Sequence, residues 1–368
     1  VLDDFLDTAA ELLAVPSTAD RPEDLQRAVD FVVDFVGPGF VVERFESAGK
    51  PSALLYRASA GRPKFRVILN GHLDVVPARA EQFRPQRVEH RLYARGAQDM
   101  KVSALLLAQA FRDLVPTLSY PLALQLVADE EIGGRNGTRH QLEQGVTGEF
   151  VVIGEHSALD IVADSKGLLH ATLTATGRSG HGAYPWLGDN ALVKIVNTIA
   201  RLLARYPVAT EEVWRTTVNV ANISTPNQAV NQTPERAQAL LDIRFPTEDG
   251  DLNGRDAIEV AGYLASFAEP GVTVTIDEFD PPQHADHDRP EIAALRRAAQ
   301  RQGYRGDFLR KHGAGDGGFY SAQGIPAVAF GVGGDGQHGP EEYADITTFE
   351  PYALALRDFL TSLDGVET

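Results

Sequence analysis

The stretch FRVILNGHLDVVP, Phe65–Pro77, decides how this 368-residue chain is read. Its first half is almost continuously apolar. That suits a strand buried on both faces, as in a parallel sheet covered by helices. Its second half sets His72 and Asp74 two residues apart, on one face of an extended chain. Two polar groups on a buried face need a partner that offsets their desolvation.

The flanking sequence keeps alternating. Helical spacing runs through Leu2–Leu13 and Pro22–Val36, and extended runs through Phe40–Glu46 and Ala53–Arg57. DMKVSALLLAQAFRDLV, Asp99–Val115, predicts a helix with Asp99 near its start. LALQLVADEE, Leu122–Glu131, and FVVIGE, Phe150–Glu155, predict buried strands that end in acids. This order predicts an α/β fold, with a mixed, mostly parallel sheet covered by helices. Ligands of such sheets gather beyond the carboxyl ends of strands, where His72, Asp74, Glu130, Glu131 and Glu155 fall.

The middle of the chain changes character. Strands are predicted at Leu168–Gly177, Thr216–Ser224, Arg236–Phe245 and Val272–Phe279, and helices at Asn190–Tyr206 and Arg255–Ala268. The order βαββαβ is that of a ferredoxin-like α+β unit. The α/β pattern resumes with helix Pro290–Gln302, strand Ala327–Gly333 and helix Glu350–Leu363. The expected organisation is one α/β domain of residues 1–167 and 283–368, with residues 168–282 inserted into it as a second domain.

Composition narrows the function. Net charge is −17, from 34 basic against 51 acidic residues, and no basic run exceeds Arg296–Arg297. A nucleic-acid partner is therefore not expected. There is no cysteine, which excludes disulfides, thiolate ligands and a cysteine nucleophile. No segment approaches the ~18 apolar residues of a membrane span. VLDDFLDTAA lacks the basic and apolar regions of a signal peptide, so a cytoplasmic setting is expected. GAGDGGFY, Gly313–Tyr320, lacks the Gly-Lys-Ser/Thr ending of a phosphate loop. HADHD, His284–Asp288, is read as solvated rather than as a further metal site.

The residues that carry chemistry are His72, Asp74, Asp99, Glu130, Glu131, Glu155 and, in DGQHGPEEY, His338. Zinc takes imidazole and carboxylate ligands. Two histidines and three carboxylates hold two ions if one carboxylate bridges. Two ions ~3.5–4 Å apart polarise an amide carbonyl and generate hydroxide near neutral pH. Of adjacent acids such as Glu130 and Glu131, one can ligate while the other acts on the water. Each residue alone has a plainer explanation: a core histidine, a helix cap or a solvated loop. Their joint placement at strand ends is what points to metal chemistry.

These motifs resemble the dinuclear-zinc hydrolases that include acetylornithine deacetylase, succinyl-diaminopimelate desuccinylase, aminoacylase and glutamate carboxypeptidase. GHLDVVP, ARGAQDMK, ADEEIGG, the Gly-Glu after a strand, GRSGHGAYPWLGDNA, LDIRFP and QHGPEEY occur in that family's order. The family fold also has an inserted ferredoxin-like domain. The resemblance implies two Zn2+ per subunit, with Co2+ or Mn2+ as alternatives. It implies that His72 and Glu155 hold the first ion, Glu131 and His338 the second, and that Asp99 bridges both. Asp74 would orient His72, and Glu130 would be the general base. His181 would stabilise the oxyanion, often from the partner of a homodimer. Arg244 would grip a substrate carboxylate, assisted by Asn219. The implied reaction is hydrolysis of an amide next to a free carboxylate, on an N-acyl amino acid or short peptide. Deacylase is the first reading and dipeptidase or carboxypeptidase the second. A non-catalytic binding module would have lost ligands, and none is lost here. The chain departs from the family at DMKVS and VANIS, which lack a common glycine, and at His156, which stands where proline is frequent.

Overall fold

The computed structural model describes residues 2–364. It divides into two compact units. The first comprises the chain up to Asp164, His284–Arg310 and Gly315 onward; the second comprises Ser165–Gln283 and Lys311–Ala314. The short return at 311–314 has no periodicity to announce it.

The first unit is built on a nine-stranded mixed sheet. Its centre is parallel: Leu122–Val127, Val67–His72, Val151–Ile153 and Ala327–Ala329 lie side by side. The hairpin Val41–Ser47/Lys50–Tyr56 adds antiparallel strands at one edge. Ile161–Ser165 runs antiparallel to Ala327–Ala329. Every residue of Val67–His72 and Leu122–Val127 is buried, because helices cover one face and loops and short helices the other. Alternate side chains accordingly join different cores. Val67 and Leu69 pack with Leu105, Phe111 and Phe359. Ile68 packs with Phe65, Val151 and Tyr320.

The register sets the strand ends level. His72 lies opposite Val127, and Asn70 opposite Ile153. Residues just past Val127 and Ile153 therefore emerge beside His72. Gly331 is needed for this approach: a Cβ there would sit 2.5 Å from the carbonyl oxygens of both Gly154 and Glu155.

The helix expected from Asp99 begins later. Its regular part is Val102–Leu114, and Asp99 itself has φ −122° and ψ 95°. The segment is held instead by a partner far along the chain. The N–H groups of Gln98 and Asp99 both donate to the Glu342 carboxylate, at 3.1 and 3.2 Å. A small sheet not signalled by periodicity pairs Gln86–Val88, Arg91–Tyr93, Tyr343–Asp345 and Gly334–Asp335. Strands of two or three residues are too short to show alternation. HADHD is also more engaged than expected. Asp164 takes His284 Nδ1 at 2.7 Å and His287 Nε2 at 2.9 Å, and His287 stacks on Phe308.

The second unit has the order βαββαβ. Its strands are Gly167–Thr176, Thr217–Ser224, Arg236–Phe245 and Val272–Asp280, and its helices Ala191–Arg205 and Ala257–Ala265. All pairings are antiparallel, with Gly167–Thr176 and Arg236–Phe245 central. Both helices are capped from the sequence. Asn190 accepts from the Leu192 and Val193 amides, and Asp256 and Glu259 form a capping box. Among the described residues no helix is long and apolar enough to cross a membrane.

Candidate metal centre

His72 ends its strand buried. Its Nε2 lies 2.9 Å from Asp99 Oδ1 and 3.2 Å from Glu155 Oε1. Its Nδ1 lies 3.1 Å from the main-chain oxygen of Asp74, whose carboxylate stands further off at 3.6 Å. That carboxylate is occupied elsewhere: it accepts the N–H groups of Glu130 and Glu131, at 3.2 and 3.0 Å. Asp74 thus holds the imidazole with its carbonyl and the acidic turn with its side chain. Gly133 and Gly134, at φ 101° and 62°, let the chain leave that turn at once.

Asp99 is the centre of the arrangement. Its Oδ1 faces His72, and its Oδ2 lies 3.3 Å from His338 Nε2. His338 Nε2 is also 3.1 Å from Glu131 Oε2. One carboxylate therefore presents an oxygen to each of two imidazoles, each accompanied by its own glutamate. Ligand atoms lie within 4.8 Å of one another in three groups: His72, Asp99 and Glu131; His72, Glu130 and Glu155; and Asp99, Glu155 and His156.

A buried ion pair supports these side chains. Arg95 Nη1 contacts Glu342, and Arg95 Nη2 donates to the carbonyls of His338 and Gly339 at 3.0 and 3.1 Å. Since Glu342 also accepts the Asp99 amide, the pair ties the loop of His338 to the turn of Asp99. Neither Arg95 and Glu342 nor His156 was selected by sequence reasoning. The first two sit inside quoted motifs, and His156 directly follows a candidate ligand.

The electrostatics fit cations. Burial, with the charges of Glu155, Asp316 and Asp99, holds Glu130 well above the usual carboxylate range. Burial also raises Glu131. For His72, burial acts downward, but the Asp74, Asp99 and Glu155 carboxylates hold its pKa well above the usual value. Asp99 is pushed up by burial and Glu155, yet the bonds to His338 and His72 prevail and lower it. The cluster is short of positive charge, which dipositive ions would supply.

A pH dependence follows for the metal-free protein. Burial pushes the Asp316 carboxyl from 3.8 up to about 7. Bonds to Asp99 and Glu131 push His338 from 6.5 up to about 10. Both groups bind protons more tightly when folded. Stability should therefore fall as pH rises from about 4 to about 7; above that His338 continues the fall, while Lys101, lowered by burial from 10.5 to about 7, opposes it. After chelator treatment the melting temperature is expected to be higher at pH 5.5 than at pH 8.5, and added zinc should narrow the difference. A metal-free protein that melts higher at pH 8.5 contradicts this.

Of the remaining predicted residues, His181, Arg244 and Asn219 belong to the second unit. His181 is exposed, and its Nδ1 accepts the Ala183 N–H at 3.1 Å. Arg244 Nε lies 2.7 Å from Asp242 Oδ1, so the guanidinium is paired on its own strand. Asn219 lies opposite Asp242 in the sheet.

Comparison with known proteins places the chain. The model of peptidase family M20/M25/M40 matches residues 68–362. A succinyl-diaminopimelate desuccinylase of Parvibaculum lavamentivorans is 31% identical over 264 residues, 66% of this chain and 66% of that protein. A probable carboxypeptidase of Paracoccidioides brasiliensis is 33% identical over 226 residues, 55% of this chain and 51% of that protein. The chain thus spans less than two thirds of either relative. An aminopeptidase of Bacillus cereus shares the fold, with TM-score 0.78 at 16% identity over 98% of this chain and 99% of that one. With its family model running from the central strand to the last helix, the chain belongs to peptidase family M20/M25/M40.

Proposed function

We propose that the protein is a two-metal hydrolase of amide bonds next to a free carboxylate, acting as an N-acyl-amino-acid deacylase. The carrying observation is Asp99, which offers one oxygen toward His72 and the other toward His338, with Glu130 beside them. His72, Asp99 and Glu155 would hold one ion, and Asp99, Glu131 and His338 the other. Zinc suits these donors, and cobalt or manganese can take the same set. Two such ions, when bound, polarise the amide carbonyl and lower the pKa of water toward neutrality.

The chain's own residues supply the rest. Glu130, which burial holds well above the usual carboxylate range, takes a proton from water and returns it to the leaving amine. His181 accepts a backbone N–H at Nδ1, so its Nε2 carries the proton and can donate to a developing oxyanion. Arg244 would exchange Asp242 for the substrate carboxylate, with Asn219 alongside. A homodimer through the second unit belongs to the same reading; sedimentation showing a fully active monomer would count against it. A dipeptidase or carboxypeptidase is the second reading, favoured by the carboxypeptidase relative.

The test is a hydrolysis screen of N-succinyl and N-acetyl amino acids and dipeptides with zinc or cobalt. Cleavage should require the free carboxylate and vanish for the corresponding amide. Arg244→Leu should raise KM by roughly 10–100-fold, the weight of a charge-assisted bond, with a smaller effect on kcat. Equal cleavage of acid and amide would overturn the assignment.

A further inference from the structure

We infer that His156 Nδ1 is a fourth protein donor to the ion held by His72, Asp99 and Glu155, an assignment that rests on the two-ion reading above. His156 directly follows Glu155. Its Nδ1 is shielded from solvent and has no hydrogen-bond partner. Buried polar atoms are nearly always satisfied, so an orphan nitrogen at such a place points to a missing occupant. Glu155 is not that partner: its Oε2 is 3.6 Å away, beyond hydrogen-bond range.

The geometry says what the occupant is. Ligand atoms of Asp99, Glu155 and His156 lie within 4.8 Å of one another. His72 Nε2 approaches the same two carboxylates, at 2.9 and 3.2 Å. Bonds of ~2.0–2.2 Å from one ion reach donors at about this spacing. The set is two imidazole nitrogens and two carboxylates, a neutral-pH donor set for zinc or cobalt. The backbone on either side of His156 is also held in place. The Gly154 amide bonds Asn70 O at 3.0 Å on one side, and the Ser157 amide bonds Val332 O at 3.3 Å on the other. Hence one ion has four protein donors. The other has Asp99, Glu131 and His338, the last half-exposed, and keeps open positions for water and substrate.

X-ray absorption of the wild-type protein with two zinc ions per chain tests this directly. Three imidazoles per two ions are expected, from His72, His156 and His338; two would overturn the assignment. His156→Phe keeps the ring volume and removes the donor. Its dissociation constant for one of the two ions should rise at least about tenfold, the lower range for perturbing a ligand's support. The visible spectrum of the cobalt protein should change with it. The metal-free variant should melt within a few degrees of wild type, which separates lost ligation from lost folding. Unchanged constants for both ions sink the assignment alone. A wild type that takes up no pair of ions sinks the two-ion reading as well.

Discussion

Glu130→Gln is expected to keep both metal ions and to lose amide hydrolysis, with kcat lower by about 10²–10⁴-fold, the range for a general acid–base group. The substitution preserves size and leaves the turn intact. The turn is held by main-chain bonds: the 130 and 131 amides to Asp74, and the Gly133 amide to the Glu130 carbonyl at 2.8 Å. What disappears is a carboxylate beside the ligand cluster whose affinity for a proton is raised by burial and the neighbouring acids, the group that would take and return the proton. The metal-free variant should not melt lower than wild type, because an amide there carries no charge to desolvate. Metal content, kcat and melting temperature are measured together on one preparation. Full hydrolysis with both ions bound would remove Glu130 from the mechanism.

Arg95→Leu is expected to destabilise the protein by about 3–5 kcal/mol, the typical effect of breaking a buried ion pair. The Arg95 and Glu342 side chains are 3% and 1% exposed. Without the guanidinium, the Glu342 carboxylate, already raised by burial, loses its ion-pair partner. The carbonyl of His338 also loses the guanidinium donor, while that of Gly339 keeps only Gln82 Nε2, at 3.0 Å. The centre should suffer with the fold, since the same pair joins the His338 loop to the Asp99 turn; metal affinity is expected to fall about 10–100-fold. The double variant Arg95→Leu/Glu342→Leu separates the two effects. It should recover much of the stability, because no unpaired charge is left buried. It should not recover metal affinity, because the Gln98 and Asp99 amides lose their acceptor. Chemical denaturation and metal titration read the two outcomes. A single-variant loss below ~1 kcal/mol would show that the pair is not the support described here.

By itself the sequence determined the layers, the order of elements along the inserted unit and the acids at the strand ends. Helices Leu2–Leu13 and Pro22–Val36 and strand Arg236–Phe245 lie where their spacing places them. The physical reason is that burial of one face or two imposes a period of 3.6 or 2, or an unbroken apolar run, and these are local properties of a chain. His72, Glu131 and Glu155 were legible in the same way, as polar groups at the ends of apolar strands. The tertiary structure decided what depends on partners far apart in the chain. Asp99 was legible as an acid but not in its backbone, because the acceptor that draws it out of the helix is Glu342, 243 residues away. His338 is held by strands too short to carry a period. Arg95, Glu342 and His156 acquire meaning only from what burial leaves paired or unpaired around them, and residue spacing does not encode that.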